Sequence, residues 1–258
     1  MTPLEFLAVV LPSPDTGYYC AAGFTEKRKR HAFKQELADL QPIIDDWHAE
    51  GLDCYMAMAV FGEPGSREAA NATHMRSLFI DMDGYETKKD AAQALQDFMV
   101  KTGLDLLGTP YIVSSGGGIH VYWPCHENIE IARWKPVAMA LKRLCDQEKM
   151  RIDMSVTADA ARVLRWPQTT NFKKKYATPR PVRILAEGDV FDFDELAAHI
   201  TSLLPTSVTL PTSNVIQLPG VKPTSVTAST VKLFENSITR FKNILRKTKE
   251  GLGCGQIE

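Results

Sequence analysis

The chain has 258 residues, 44% of them hydrophobic and 24% charged, with a formal net charge of −1. That apolar content supports a sizeable core and excludes a fibrous, collagenous or wholly disordered protein. No apolar run approaches the roughly 20 residues needed to cross a bilayer, so a transmembrane protein and a membrane partner are excluded as well.

Taken in chain order, hydrophobic patterning predicts short strands at 6–11, 55–61, 78–83, 111–114, 119–123, 163–166 and 182–185. Helices are predicted at 25–50, interrupted at Pro42, and at 88–101, 129–149 and 193–204. Interleaving of this kind indicates a mixed α/β or α+β domain. Composition changes at Pro205, since residues 205–230 hold ten Ser or Thr, four Pro and one charge. That stretch reads as an extended linker, which places a catalytic-type domain at 1–204. Residues 231–258 read as a basic amphipathic helix, with Val231, Phe234, Ile238, Phe241 and Leu245 at three- and four-residue steps. A helix of this kind needs a partner surface, and it is expected to open a helical domain in a longer protein.

The N-terminus carries Glu5 and no early Lys or Arg, so it does not read as a secretory signal. Five scattered cysteines, none in a C-x-x-C pair, are expected to be reduced thiols in a cytoplasm. The small net charge conceals a strong local excess. Between 160 and 186 there are seven basic residues and no acidic one, a segment suited to a polyanion.

Three short motifs carry candidate chemistry. In RSLFIDMDG, strand alternation puts Asp81 and Asp83 side by side on the face opposite Leu78, Ile80 and Met82. Two adjacent carboxylates are costly unless cations neutralise them, and Mg²⁺ or Mn²⁺ prefers such hard oxygen donors. In VSSGGGIHVYW, consecutive glycines permit close backbone approach to a ligand, and alternation sets His120 and Tyr122 on one face. Exposed amides beside an imidazole suit the phosphates or ribose of a nucleotide. In RIDMSVTADAARVLRWPQTTNFKKK, Asp153 sits between Ile152 and Met154 like a strand carboxylate, followed by the cations Arg162, Arg165 and Lys173. Phe172 and Tyr176 are interleaved with Lys174, Lys175 and Arg180, as in a strip that grips a single strand by phosphate contact and base stacking. Cys125, His126 and Cys145 match no zinc spacing, so no zinc is expected.

In this order the motifs resemble the archaeo-eukaryotic primase superfamily, especially the primase-polymerases of phages and plasmids, over roughly residues 17–184. The resemblance rests on Asp81 and Asp83, on SGGGIH ending in His120, on Asp153, and on a run of Arg162, Arg165, Pro167, Thr169, Asn171 and Lys173. The family often has glycine after that proline, where this chain has Gln168. The resemblance implies an RRM-like catalytic sheet packed with a second small α/β unit. It also implies template-directed nucleotidyl transfer in phage or plasmid replication, with a single-stranded DNA template, a primer and a dNTP or NTP. Asp81, Asp83 and Asp153 would hold two divalent ions. Ser115, Gly116, Gly117, His120, Arg162, Arg165 and Lys173 would contact the nucleotide, while Asn171, Lys174, Lys175, Tyr176 and Arg180 would contact DNA. A helicase domain is expected C-terminally in the full-length chain.

Two other readings share the motifs. A non-enzymatic origin- or single-strand-binding module would keep the basic segment without using the carboxylates, and a metal-dependent glycosyltransferase would use D-x-D to bind a sugar nucleotide. A rolling-circle nickase is disfavoured, because it needs paired histidines and only His120 is well placed.

Overall fold

The computed structural model describes residues 1–205. The predicted amphipathic helix, and the linker beyond its first residue, lie outside the described residues. In chain order the elements are α1 (Pro3–Val10), β1 (Tyr19–Phe24), β2 (Lys29–Lys34), α2 (Gln41–Ala49), β3 (Asp53–Ala57), β4 (Val60–Phe61), β5 (Ala72–Met82) and α3 (Lys88–Thr102). They continue as β6 (Tyr111–Ser114), β7 (Ile119–Glu130), α4 (Ile131–Gln147), β8 (Val163–Arg165), β9 (Thr170–Asn171), β10 (Arg180–Pro181), β11 (Arg183–Ala186) and α5 (Phe193–Ser202).

The fold is α+β, with two main antiparallel sheets. One has the order β11-β6-β7-β5-β4, the other β2-β1-β3-β8, and β9 and β10 form a small ribbon. The succession β5-α3-β6-β7-α4 is a βαββα run of the RRM type, and the four-stranded sheet with α2 is the second unit. The sheets meet where β4 follows β3 and where Tyr18 bridges to Phe61. Strand β5 anchors the larger sheet, since Leu78, Phe79, Ile80 and Met82 are fully buried. Helix α4 lies over it, with the Trp134 ring 5.9 Å from that of Phe79 and its indole N–H donating to the Ser77 carbonyl at 2.9 Å. Among the described residues no helix is long and apolar enough to cross a membrane. Cys20, Cys54, Cys125 and Cys145 are free and buried.

Three elements differ from their sequence patterns. The run 6–11, read as a strand, lies in helix α1 up to Val10, with Leu11 as its C-cap. Pro3 occupies its first turn, and Thr2 and Glu5 close a capping box, with the Thr2 amide donating to the Glu5 carboxylate at 2.7 Å. That local signal prevails over the β-like composition of the run. The front half of the predicted helix at 25–50 is instead strand β2, paired along its length with β1. Strand β1 is buried at nearly every position, and zipping onto it satisfies backbone groups that local helical periodicity cannot weigh. Asp153 stands in a loop between α4 and β8, not in a strand.

Candidate active site

The C-terminal end of β5, the turn between β6 and β7, the loop after α4, and β8 with the segment that follows it converge on one cleft of about 250 Å³ between the two sheets. It is lined by Asp81, Asp83, Ser115, Gly117, His120, Asp153, Arg162, Arg165, Asn171, Lys173, Lys175 and Tyr176. Most of the residues singled out in the sequence thus meet in one place, from positions up to a hundred apart.

Antiparallel pairing of β5 with β7 sets Asp81 opposite His120, and the Asp81 Oδ1 to His120 Nε2 distance is 3.7 Å. His120 is buried, and its Nδ1 lies 3.3 Å from the Tyr122 hydroxyl. Burial pushes the imidazole below its usual range, and the opposing Asp81 charge does not reverse this. His120 is therefore neutral at pH 7, a hydrogen-bonding group and not a fixed cation.

The Asp153 loop docks on β5 through its backbone, its amide donating to the Asp81 carbonyl at 2.8 Å. The Asp153 carboxylate accepts from the Ser155 amide at 2.9 Å and the Ser155 hydroxyl at 2.6 Å. Arg162 in turn donates to that hydroxyl at 2.9 Å. Desolvation works to raise the Asp153 carboxyl, but the two Ser155 bonds, with Arg162 and Lys142, outweigh it and hold the carboxyl below its usual range. Asp83 lies 3.5 Å from the Lys175 ammonium.

The glycine turn is built for close approach. Gly116 has φ of 86°, and a Cβ on Gly118 would run into the Met82 carbonyl. Asn171, buried, donates its amide to the Ser115 carbonyl at 2.8 Å, and Arg180 donates to the Gly116 carbonyl at 3.3 Å. Tyr176 lies over the turn beside Gly117, with the Arg180 guanidinium 4.0 Å from its ring centroid. Asn171 and Arg180 thus hold the turn by its carbonyls, while Gly116, Lys174 and Arg180 do not line the cleft and Lys174 pairs with Glu26 at 2.7 Å.

Arg165 is buried, bonded to Asp53 at 2.8 Å and set 4.8 Å over the Tyr55 ring. Asp53 also accepts from the Phe172 amide at 2.7 Å. Arg165 Nη2 is buried with no hydrogen-bond partner among the described residues, as is Arg162 Nε, which has only the Asp159 carboxylate at 3.9 Å. A donor such as Arg165 Nη2 at a cleft wall is what an anionic ligand would satisfy. Sequence reasoning missed Phe24, Tyr55 and Val156, which also line the cleft. It also missed Asp53, which anchors Arg165. None has a motif of its own, because the place of Phe24, Tyr55 and Asp53 depends on how the second sheet is packed and that of Val156 on how the loop after α4 docks.

No protein-family profile matches the chain. A replication protein from Clostridium perfringens is 30% identical over 146 residues, which are 55% of this chain and 34% of that protein. The alignment therefore spans well under two thirds of the relative's length. The AEP domain of the cyanophage S-2L primase-polymerase superposes with a TM-score of 0.55 at 17% identity, covering 78% of this chain and 96% of that domain. This chain has the fold of an archaeo-eukaryotic primase-polymerase domain. The catalytic domain of the primase RepB′, solved in complex with initiator DNA, is more distant, with a TM-score of 0.48 at 14% identity over 78% of this chain and 94% of that domain. Within the primase-polymerase fold of this chain, Asp81 and His120 stand on the central sheet, Asp83 follows just past the end of β5, and the Asp153 loop abuts the sheet.

Proposed function

We propose that the protein is a template-directed nucleotidyltransferase, a DNA primase, polymerase or both, acting on single-stranded DNA in phage or plasmid replication. The observation that carries this reading is the convergence of Asp81, Asp83, Asp153 and His120 with Arg162, Arg165 and Lys173 on one cleft, in a chain with the primase-polymerase fold. The C. perfringens replication protein supports the same setting.

The donor chemistry fits divalent metal. Three carboxylates border the cleft, hard oxygen donors of the type Mg²⁺ and Mn²⁺ select. Among the described residues no three His, Cys, Asp or Glu side chains are grouped closely enough to hold a metal ion as they stand. Asp81, Asp83 and Asp153 would hold the ions, whose chemistry when bound is to neutralise charge as a 3′-hydroxyl attacks the α-phosphorus and pyrophosphate leaves. The chain's own residues supply the rest. Arg162, Arg165 and Lys173 offer donors to phosphate oxygens, and Gly117 lets a triphosphate approach the backbone. Neutral His120 donates or accepts a hydrogen bond without adding charge. A C-terminal helicase domain belongs to the same proposal.

The test is incorporation of labelled nucleotide on single-stranded DNA with Mg²⁺ or Mn²⁺, with and without a primer, beside the Asp81→Ala, Asp83→Ala protein. Metal-dependent products that vanish in the variant are expected, and products without primer would add priming. Binding of DNA with no incorporation under any condition would favour the non-enzymatic module instead.

A further inference from the structure

Beside the cleft, and sharing Phe24, Tyr55, Lys173 and Lys175 with it, runs a larger groove of about 830 Å³. One wall is the tip of the β1–β2 hairpin, with Glu26, Lys27 and Arg28. The other is the turn after β9, with Phe172, Lys173, Lys174 and Lys175. We propose that this groove carries the single-stranded DNA that leads into the cleft, with the hairpin tip as one of its two jaws. The inference takes its ligand class, single-stranded DNA, from the function proposed above. It adds a site on a hairpin that no sequence motif marks.

Three observations carry it. First, the groove is lined by five cations, Lys27, Arg28, Lys173, Lys174 and Lys175, against only Glu26 and Asp53. Asp53 is already engaged by Arg165 and the Phe172 amide, and although Arg28 pairs with Glu50 at 3.4 Å and Lys175 with Asp83 at 3.5 Å, cations outnumber carboxylates along the lining, which suits a phosphate backbone. Second, aromatic rings stand on both sides. Phe24 and Tyr55 pair with centroids 5.2 Å apart, and Phe172 packs 5.7 Å from the His48 ring. Phe24, Tyr55 and Phe172 are half-buried, and since Arg165 already covers one face of Tyr55, Phe24 and Phe172 are the rings offered to a base for stacking. Third, the only ion pair joining the jaws among the described residues is Lys174 to Glu26 at 2.7 Å, with both side chains largely exposed. An exposed pair of this kind is weak, and phosphates entering the groove would take the place of the Glu26 carboxylate.

The experiment is equilibrium binding of a fluorescent oligothymidylate to the full chain by anisotropy, across a salt series, with neither nucleotide nor divalent metal present. Its outcome is then independent of whether the protein polymerises. Lys27→Ala, Arg28→Ala is expected to weaken binding roughly tenfold at 0.1 M salt and to lower the salt slope by about 1.4, which is two phosphate contacts on a single strand. Both residues are exposed, so the fold is retained. Glu26→Gln is expected to tighten binding about two- to fivefold. The same loss of charge at Lys89 and Lys101 on α3, which borders neither cavity, is expected to change little. Unchanged affinity and salt slope in the Lys27, Arg28 variant would overturn the proposal, as would equal losses in the α3 control.

Discussion

The backbone amide of Asp153 donates to the carbonyl of Asp81 at 2.8 Å, so the third carboxylate of the cleft is located by a main-chain bond and not by its own charge. The Asp81 carbonyl, on the edge of β5 beyond its pairing with β4, is thereby satisfied, and at that point the loop carrying Asp153 takes the place a neighbouring strand would occupy.

Because that bond involves only backbone, Asp153→Asn leaves the loop docked while removing the charge. We expect metal-dependent incorporation to fall by at least about 100-fold, with a thermal midpoint close to that of the parent. Single-turnover incorporation and a melting curve on the same preparation check both halves.

His120 yields a pH prediction. Its folded-state affinity for protons is lower than in the unfolded chain, so the unfolded state binds more protons just below the ordinary histidine range. Stability from this group is complete above about pH 6.5 and declines as pH falls below it. His31 shifts in the same direction, through burial and then the neighbouring Arg67 and Lys29. The specific signature is therefore the difference between parent and His120→Gln. Urea unfolding at several pH values should show a shallower acid decline in the variant.

Gln168 has φ of 61°, in the left-handed region that costs an L-residue about 1 kcal/mol or more. This is the position where the resembling family often carries glycine, and the backbone explains why. Its amide donates to the Val182 carbonyl at 2.9 Å and its side chain is exposed. Gln168→Gly should therefore stabilise the protein by about 0.5–1 kcal/mol, seen as a higher denaturation midpoint with an unchanged m-value.

Arg165 and Asp53 form a buried pair, with side-chain exposures of 4% and 14%. Removing one partner leaves the other charge uncompensated, which costs about 3–5 kcal/mol. Arg165→Ala should lower the melting midpoint by roughly 10 °C, a loss that an exposed triphosphate ligand would not produce. A midpoint within two or three degrees of the parent would show that Arg165 contributes little to holding the second sheet in place.

Several features were legible in the chain itself. Strand β5 with Asp81, the hairpin of β6 and β7 around the glycines, and helices α3, α4 and α5 all follow from local alternation, periodicity and turn chemistry. Those signals act over a few residues and survive in the fold. The order of the acidic, histidine and basic motifs also carried the resemblance. Tertiary structure alone decided the rest. Strand β2 forms because β1 offers it a partner, and Asp153 reaches the cleft by a bond to a strand more than seventy positions earlier in the chain. Arg165 is oriented by Asp53, and the hairpin tip becomes a groove wall only when the turn after β9 lies opposite. Each of these is a contact between distant segments, set by which backbone groups and apolar faces remain to be satisfied after the local elements have formed.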